Sequence, residues 1–419
     1  MNSLALPRIL STGCALLLLS SLPALAVDWP GFRGAHRDDV CLETALLAQW
    51  PEAGPKKLWM STEAGLGYAG YSIAQGRLYT MGLHGDSEDL MAFDAASGKL
   101  LWTTPVGPIF TNKWGDGPRG TPFIDEDRVY TLSAQGYVLC ASAKDGKPLW
   151  NASLKDFGGK PPGWGYTESV LVDGNRLLLT PGGPSGTVLA LDKMTGKKLW
   201  QSADWTDPAQ YGSIVPATIN GIAQYVVLTM QNVGAVEAAT GKKLWLSPWN
   251  GRTAVIPTPV VSGNEVYISS GYSVGCKKVR ISSGNQPEDL WTNTHMINHH
   301  GGVILHKGYL YGYSDKSGWT CQDWSTGEVK WAEKKLGKGA IHCANGQLVL
   351  LDEKDGTVAL IDASPDGWKE HGRFKLDPQT TQRKPDGRIW THPVISDGRL
   401  YLRDQELLFC FDVSAPAKQ

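Results

Sequence analysis

The chain has 419 residues, 42% hydrophobic and 19% charged, a length that suits about three average domains or one large repeat fold. Lys plus Arg number 40 against 41 Asp plus Glu, and the resulting net charge of −1 argues against a polybasic binder of nucleic acid or membrane surfaces. With 49 glycines and 25 prolines the chain is turn-rich yet short of low-complexity disorder, and its 17 tryptophans recur at regular positions.

Residues 1–26 read as a secretory signal. Arg8 supplies the positive start, Ala15 to Leu19 with their neighbours the apolar core, and Ala24-Leu25-Ala26 the small-x-small cleavage site. That core is too short to span a bilayer, and no later stretch is long and apolar enough. The expectation is an exported monomer, periplasmic or secreted, with no transmembrane segment and a mature chain starting near Val27. Residues 27–54 follow, with Trp29, Phe32 and Trp50 expected to pack this segment onto the body beyond it.

From residue 55 onward a phrase of the type Gly-Lys-x-Leu-Trp recurs, ending at Trp59, Trp102, Trp150, Trp200, Trp245, Trp291 and Trp331, with a degraded copy at Phe374. Successive copies lie 40 to 50 residues apart, the length of one four-stranded propeller blade. Each copy opens on a short β-rich run such as Ile256-Pro-Thr-Pro-Val-Val261. A Gly/Asn turn, an alternating strand, a run like Val188-Leu-Ala-Leu-Asp192 and the Leu-Trp strand then follow. Eight opening runs can be counted, from Tyr71-Ser-Ile73 to Pro393-Val-Ile395. The last copy stops at Leu408-Phe-Cys-Phe-Asp412 without a Leu-Trp strand, and Lys57-Leu-Trp59 is the spare strand that fits the gap. The pattern predicts an all-β, eight-bladed propeller over residues 55–415. Its four-stranded antiparallel blades close by pairing the N- and C-terminal strands, leaving 416–419 as a tail.

The core phrase Ala190-Leu-Asp-Lys-Met-Thr-Gly-Lys-Lys-Leu-Trp200 resembles the repeat of the PQQ-like β-propellers, and the likeness covers roughly residues 55–415. That superfamily holds quinoprotein alcohol dehydrogenases, the propeller lipoprotein of the outer-membrane-protein assembly machine, and many exported bacterial propellers. Asp28-Trp-Pro-Gly-Phe-Arg-Gly34, Met296-Ile-Asn-His-His-Gly-Gly302 and Leu402-Arg-Asp-Gln405 resemble the exported group most. The resemblance implies a fold far more than a function. Its leading implication is a non-catalytic binding or scaffolding protein. The alternative is a PQQ-dependent dehydrogenase of alcohols or sugars with a calcium ion, in which Glu168 and Arg119 would take cofactor or base roles. Against that alternative, no adjacent cysteine pair and no Cys-x-x-Cys-His haem site is present, and the inner-strand starts carry mostly Thr, Pro, Gly and His.

Cys140, Cys321 and Cys410 align in one column with Ala92, Ala190 and Ala235, which marks a small apolar slot; Cys41, Cys276 and Cys343 are the remaining candidates for pairing, which the sequence leaves open. In a propeller the inner-strand starts and the loops entering them surround the channel. Those stretches hold Arg119, Glu168, His299, His300, His342, Trp390 and His392, and the insertion loop Gly158-Gly-Lys-Pro-Pro-Gly-Trp164 adds Trp164. With the loop around Thr111–Gly117 it is expected to form a tryptophan-bearing lip beside the channel, where a small molecule, a sugar or a protein partner docks. Imidazoles from three consecutive blades suit zinc or copper, but no local ligand spacing supports a metal and none is assigned. Adjacent His299 and His300 are expected to point to opposite sides of an extended segment. Asp352-Glu-Lys-Asp-Gly356 reads as a β-turn, and no nucleophile elbow, metalloprotease helix or phosphate loop is found.

Overall fold

The structure, a computed structural model, describes residues 28–416; the expected signal segment 1–26, Val27 and the end of the C-terminal tail lie outside the described residues. Eight four-stranded antiparallel meanders form the blades, the first built from Ser72–Ala74, Arg77–His84, Ser87–Asp94 and Leu100–Pro108. Inner strands of neighbouring blades touch around a hub. Apart from the short 3-10 turn Leu154–Phe157, no helix occurs among the described residues.

The ring closes as the sequence predicts. Lys56–Ser61 runs antiparallel to Leu407–Asp412, with Lys56 opposite Asp412 and Trp59 opposite Cys410, so the eighth sheet is built from both ends of the chain. The largest apolar cluster lies at this seam and includes Trp29, Trp50, Trp59, Tyr71, Tyr401 and Phe409.

The repeat phrase has a geometric meaning at the outer rim. Six of the seven Trp stand opposite a small residue of the third strand, among them Trp102 opposite Ala92, Trp150 opposite Cys140, Trp200 opposite Ala190, and Trp331 opposite Cys321, whereas Trp291 stands opposite Lys278. A bulge before the Trp lets its strand skip one residue, which turns Leu58, Leu101, Leu149 and Leu199 to solvent. The Trp ring then lies against the next repeat's glycine. A Cβ on Gly196 would stand 2.6 Å from the Trp150 ring, and Gly98, Gly146 and Gly241 stand likewise on Trp59, Trp102 and Trp200. These glycines also have φ near +72°, so turn conformation and close approach both demand a residue without a side chain. Five of the seven indoles find an acceptor, among them Ala95 O for Trp59 and Gln224 Oε1 for Trp245, whereas the Trp200 and Trp291 N–H groups have no protein partner.

One expectation needs correction, and one open question is answered. In the seventh blade the register puts Gly372, not Phe374, in the tryptophan column. Trp50 of the N-terminal segment covers that glycine: its N–H bonds His371 O at 2.8 Å, and its ring meets Phe374 at 5.4 Å. The six cysteines of the described residues are all free and buried. Cys41 and Cys343 lie on neighbouring parallel strands without bonding, and burial pushes the Cys343 thiol up to about 12.

Candidate functional site

In the second, third and fourth blades the inner strand begins where a buried backbone N–H would lack a partner, and a small hydroxyl side chain of the next blade satisfies it. Thr121 N donates to Ser169 Oγ at 2.9 Å, Ser169 N to Ser213 Oγ at 2.9 Å, and Ser213 N to Thr258 Oγ1 at 3.3 Å. This belt runs along half of the hub, from the second blade to the fifth.

Residues 28–39 do more than pack on the propeller: they fill the hub. Trp29 forms an isolated bridge with Ile73 of the first inner strand. Buried Arg37 donates to Ile214 O and Ser169 O at 3.0 and 2.9 Å, and also to Val170 O. Arg33 reaches Val303 O at 2.7 Å. Asp39, with φ +65°, places one oxygen 3.0 Å from His342 Nδ1 and the other 3.3 Å from His392 Nδ1. Ile395 N donates to His342 Nε2, so the His342 proton sits on Nδ1 and is donated to Asp39. Burial would raise the Asp39 carboxyl, yet the two imidazoles and Arg33 outweigh it and hold the group well below the usual range.

The plug separates two cavities, and Arg33 lines both. One, about 320 Å³, lies at the ends of the inner strands beside His36 and Val260. The other, about 370 Å³, opens at their starts and forms a cup. The cup is walled by Trp29, Tyr68, Trp114, Trp164, Tyr211 and Trp390. Its lip is a knit of loops: Asn112 Nδ2 donates to Gly163 O, Tyr68 OH to Trp114 O, and Lys384 Nζ to Asn112 O and Asp116. The two tryptophan-bearing insertion loops therefore meet, and the segment after Lys375 joins them.

Of the residues singled out by sequence, Arg119, Trp164, His299, His300, Trp390 and His392 line this cup. Arg119 lies over the Phe110 ring at 4.7 Å and donates to Gly115 O and Gly117 O; it forms no ion pair among the described residues. His299 and His300 both face the cavity, because their segment is bent rather than extended; their ring centroids are 5.3 Å apart. His300 Nε2 lies 2.5 Å from Glu353, whose carboxylate also accepts from Trp390 Nε1 at 2.9 Å. Burial lowers the His299 imidazole to about 3, helped by His300 and Lys338.

Glu168 and His342 fall outside the cup. Glu168 is buried, accepts from Thr180 N at 2.7 Å and Thr180 Oγ1 at 2.5 Å, and burial pushes it up to about 7. His342 is fully buried behind Asp39. Glu353, Tyr272, Lys338 and Arg388 line the cup and were not singled out: Glu353 sits in the turn of Asp352–Gly356, whose local role masks its partnership with His300. The concentration of Arg33, Arg37, Asp38 and Asp39 in an aromatic segment ahead of the repeats is the signal for the plug.

Residues 86–333 match a family model described as "Outer membrane protein assembly factor BamB". The chain belongs to this PQQ-like repeat family. Within the BamB family, the chain is 25% identical over 215 residues to the outer membrane protein assembly factor BamB of Burkholderia pseudomallei, covering 49% of this chain and 50% of the relative. It is 26% identical over 294 residues to the quinoprotein ethanol dehydrogenase of Pseudomonas aeruginosa, covering 66% of this chain and 42% of that enzyme. The matches thus span half or less of these relatives' own length. The crystal structure of BamB from Moraxella catarrhalis superposes with a TM-score of 0.60 at 14% identity, over 87% of this chain and 98% of that one, a likeness of fold alone.

The quinone and calcium pair of a quinoprotein finds no matching donor set here. Calcium takes six to eight oxygen ligands, several of them carboxylate. The carboxylates set into the cup wall, buried Asp39 and half-buried Glu353, are committed to imidazoles, and Glu168 faces Thr180 instead. Among the described residues no three potential ligands converge.

Proposed function

We propose that this BamB-family propeller is an exported, non-catalytic binding or scaffolding protein that holds a small ligand or a partner's side chain in the cup, behind the Trp114 and Trp164 lip. One observation carries the reading: the carboxylates set into the cup wall, Asp39 and Glu353, are spent on neighbouring imidazoles, and the only other carboxylate lining the cup among the described residues, Asp386, is exposed. What remains open to a guest is an aromatic wall with cationic edges, which suits recognition. Periplasmic or secreted placement rests on residues 1–26 as a cleaved signal.

The test is an inventory by native mass spectrometry of what stays bound to the purified chain. Trp164→Ala and Arg119→Ala should lose that cargo while keeping thermal stability; retention in both variants would remove the cup from the function. The dehydrogenase reading, which the ethanol dehydrogenase relative favours, makes a separate demand. Incubation with PQQ and calcium would have to give a bound chromophore and dye reduction with an alcohol, and the expected result is neither.

A further inference from the structure

The inner strand of each blade bonds to its own sheet along one edge and turns the other to the hub. The residue two places before its hairpin turn directs its N–H and C=O to that open edge. In four blades this N–H is met. Ile73 donates to Trp29 O at 2.7 Å, Ile124 to Pro30 O at 2.8 Å, Cys343 to Asp39 O at 3.0 Å and Ile395 to His342 Nε2 at 3.3 Å. Three of these acceptors are main-chain carbonyls of the plug. Across the hub, Thr218, Val261 and Leu305 hold the same place in the fourth, fifth and sixth blades, and their N–H and C=O groups have no partner among the described residues. All three line the cavity of about 320 Å³ on the face away from the cup; Val172 of the third blade, also unmet, does not.

Arg33 and Arg37 close the inner end of this cavity. They donate to Val303 O, Val170 O and Ile214 O, carbonyls further in along the same hub-facing edges. Neither guanidinium has an ion pair among the described residues, and Arg37, which lines this cavity and not the cup, keeps its buried Nε without a partner. Asp38 is the one carboxylate on the wall, and its Oδ1 accepts from Val40 N. An edge that leaves both N–H and C=O unmet is matched by another main chain, whereas a simple anion brings acceptors alone. The plug sets the spacing: successive residues Trp29 and Pro30 meet successive blades, so three extended residues reach from the fourth blade to the sixth. Because the plug blocks the channel, a guest enters by a chain end, and two guanidiniums at the closed end favour a carboxylate over an amine. We propose that this mouth captures the C-terminus of a partner protein by strand addition, pairing its last three residues with Thr218, Val261 and Leu305 and turning the terminal carboxylate toward Arg37. The site is separate from the cup and does not rest on the binding reading above.

Three probes share one sequence: N-acetyl-tetraalanine with a free carboxylate, its C-terminal amide, and the all-D carboxylate. Calorimetry on the full chain should give the L-carboxylate at least about tenfold tighter binding than either of the others. Acetate in equal amount should not displace it. Hydrogen exchange read by mass spectrometry should slow at 215–219, 260–262 and 303–306 on binding, and stay unchanged at the cup lip, 111–117 and 158–164. Pro216 and Pro259 already hold hub-facing places in these edges, so Val261→Pro deletes an open N–H without breaking a ladder bond. It should weaken the peptide about fivefold; should the variant not fold, the exchange pattern of the parent decides. Equal binding of the D-peptide, equal binding of the amide, or displacement by acetate would overturn capture of a chain end. Protection at the cup lip in place of the three strands would move the peptide to the cup and overturn the distal site. No binding by any probe overturns it as well, while the cup reading stands.

Discussion

Neighbouring blades are joined in two ways, and the contrast between rim and hub organises the molecule. At the rim the joint is repeated and apolar: a Trp ring of one blade lies on the turn glycine of the next, from Trp59 on Gly98 to Trp200 on Gly241. At the hub and seam the joints are single and polar, made by buried cations that donate to backbone carbonyls. Arg37 joins the plug to two blades, and Arg403 joins the eighth blade to the first through Ala64 O, Gly65 O, Ala69 O and Met81 O. A repeated joint can lose one copy and keep the ring. A single joint has no second copy.

The largest expected effect therefore lies at the seam. Arg403 is fully buried, its guanidinium lowered to about 10 by burial, and it has no carboxylate partner among the described residues. Arg403→Leu leaves those carbonyls and Gln405 O without their donor, and should cost about 3–5 kcal/mol, read as a lower denaturant midpoint. At the rim, Gly196→Ala forces a left-handed residue against the Trp150 ring, 2.6 Å from its new Cβ. The expected loss is about 2–3 kcal/mol, less than at the seam. Equal losses would abolish the distinction between the two joints.

The same contrast explains what the sequence makes legible. Rim residues recur every 40 to 50 positions, so blade number, closure and the small-residue column can be counted from the chain. Even there, the register of the seventh blade was hidden, because Trp50 reaches Gly372 from more than 300 residues away. The hub has no period. Asp39 meets His342 and His392 over separations of 303 and 353 residues, and no local pattern encodes such a meeting. Arg119, His299, His300 and Trp390 could be placed at the channel because they precede inner strands. Glu168 occupies the same kind of position, yet its side chain turns back into its own blade, since Thr180 offers two donors there. Position along a repeat tells which residues approach the hub; side-chain partners decide which of them face it.

The smallest expected effect separates hub from rim by its sign. Rim-turn carboxyls such as Asp94, Asp145 and Asp412 sit below their usual range, held down first by the neighbouring Ser97, Ser142 and Ser414 hydroxyls. Such groups add stability that is present above the unfolded pKa and lost as pH falls through the folded one. Glu168 and Glu88, buried outside the cup, are instead pushed up to about 7 by burial. Between the unfolded value of about 4.3 and the folded value near 7, the native chain holds protons that the unfolded chain has released. Stability therefore falls as pH rises through that window, and the full penalty of a buried charge applies above it. Glu168→Gln keeps an acceptor for Thr180 N and removes the charge. The variant should match the parent at about pH 4 and exceed it by on the order of 2 kcal/mol at about pH 8, measured as denaturant midpoints. If parent and variant show the same pH dependence, the buried Glu168 carboxylate is not the source of the loss, and the Arg37 charge would have to neutralise it.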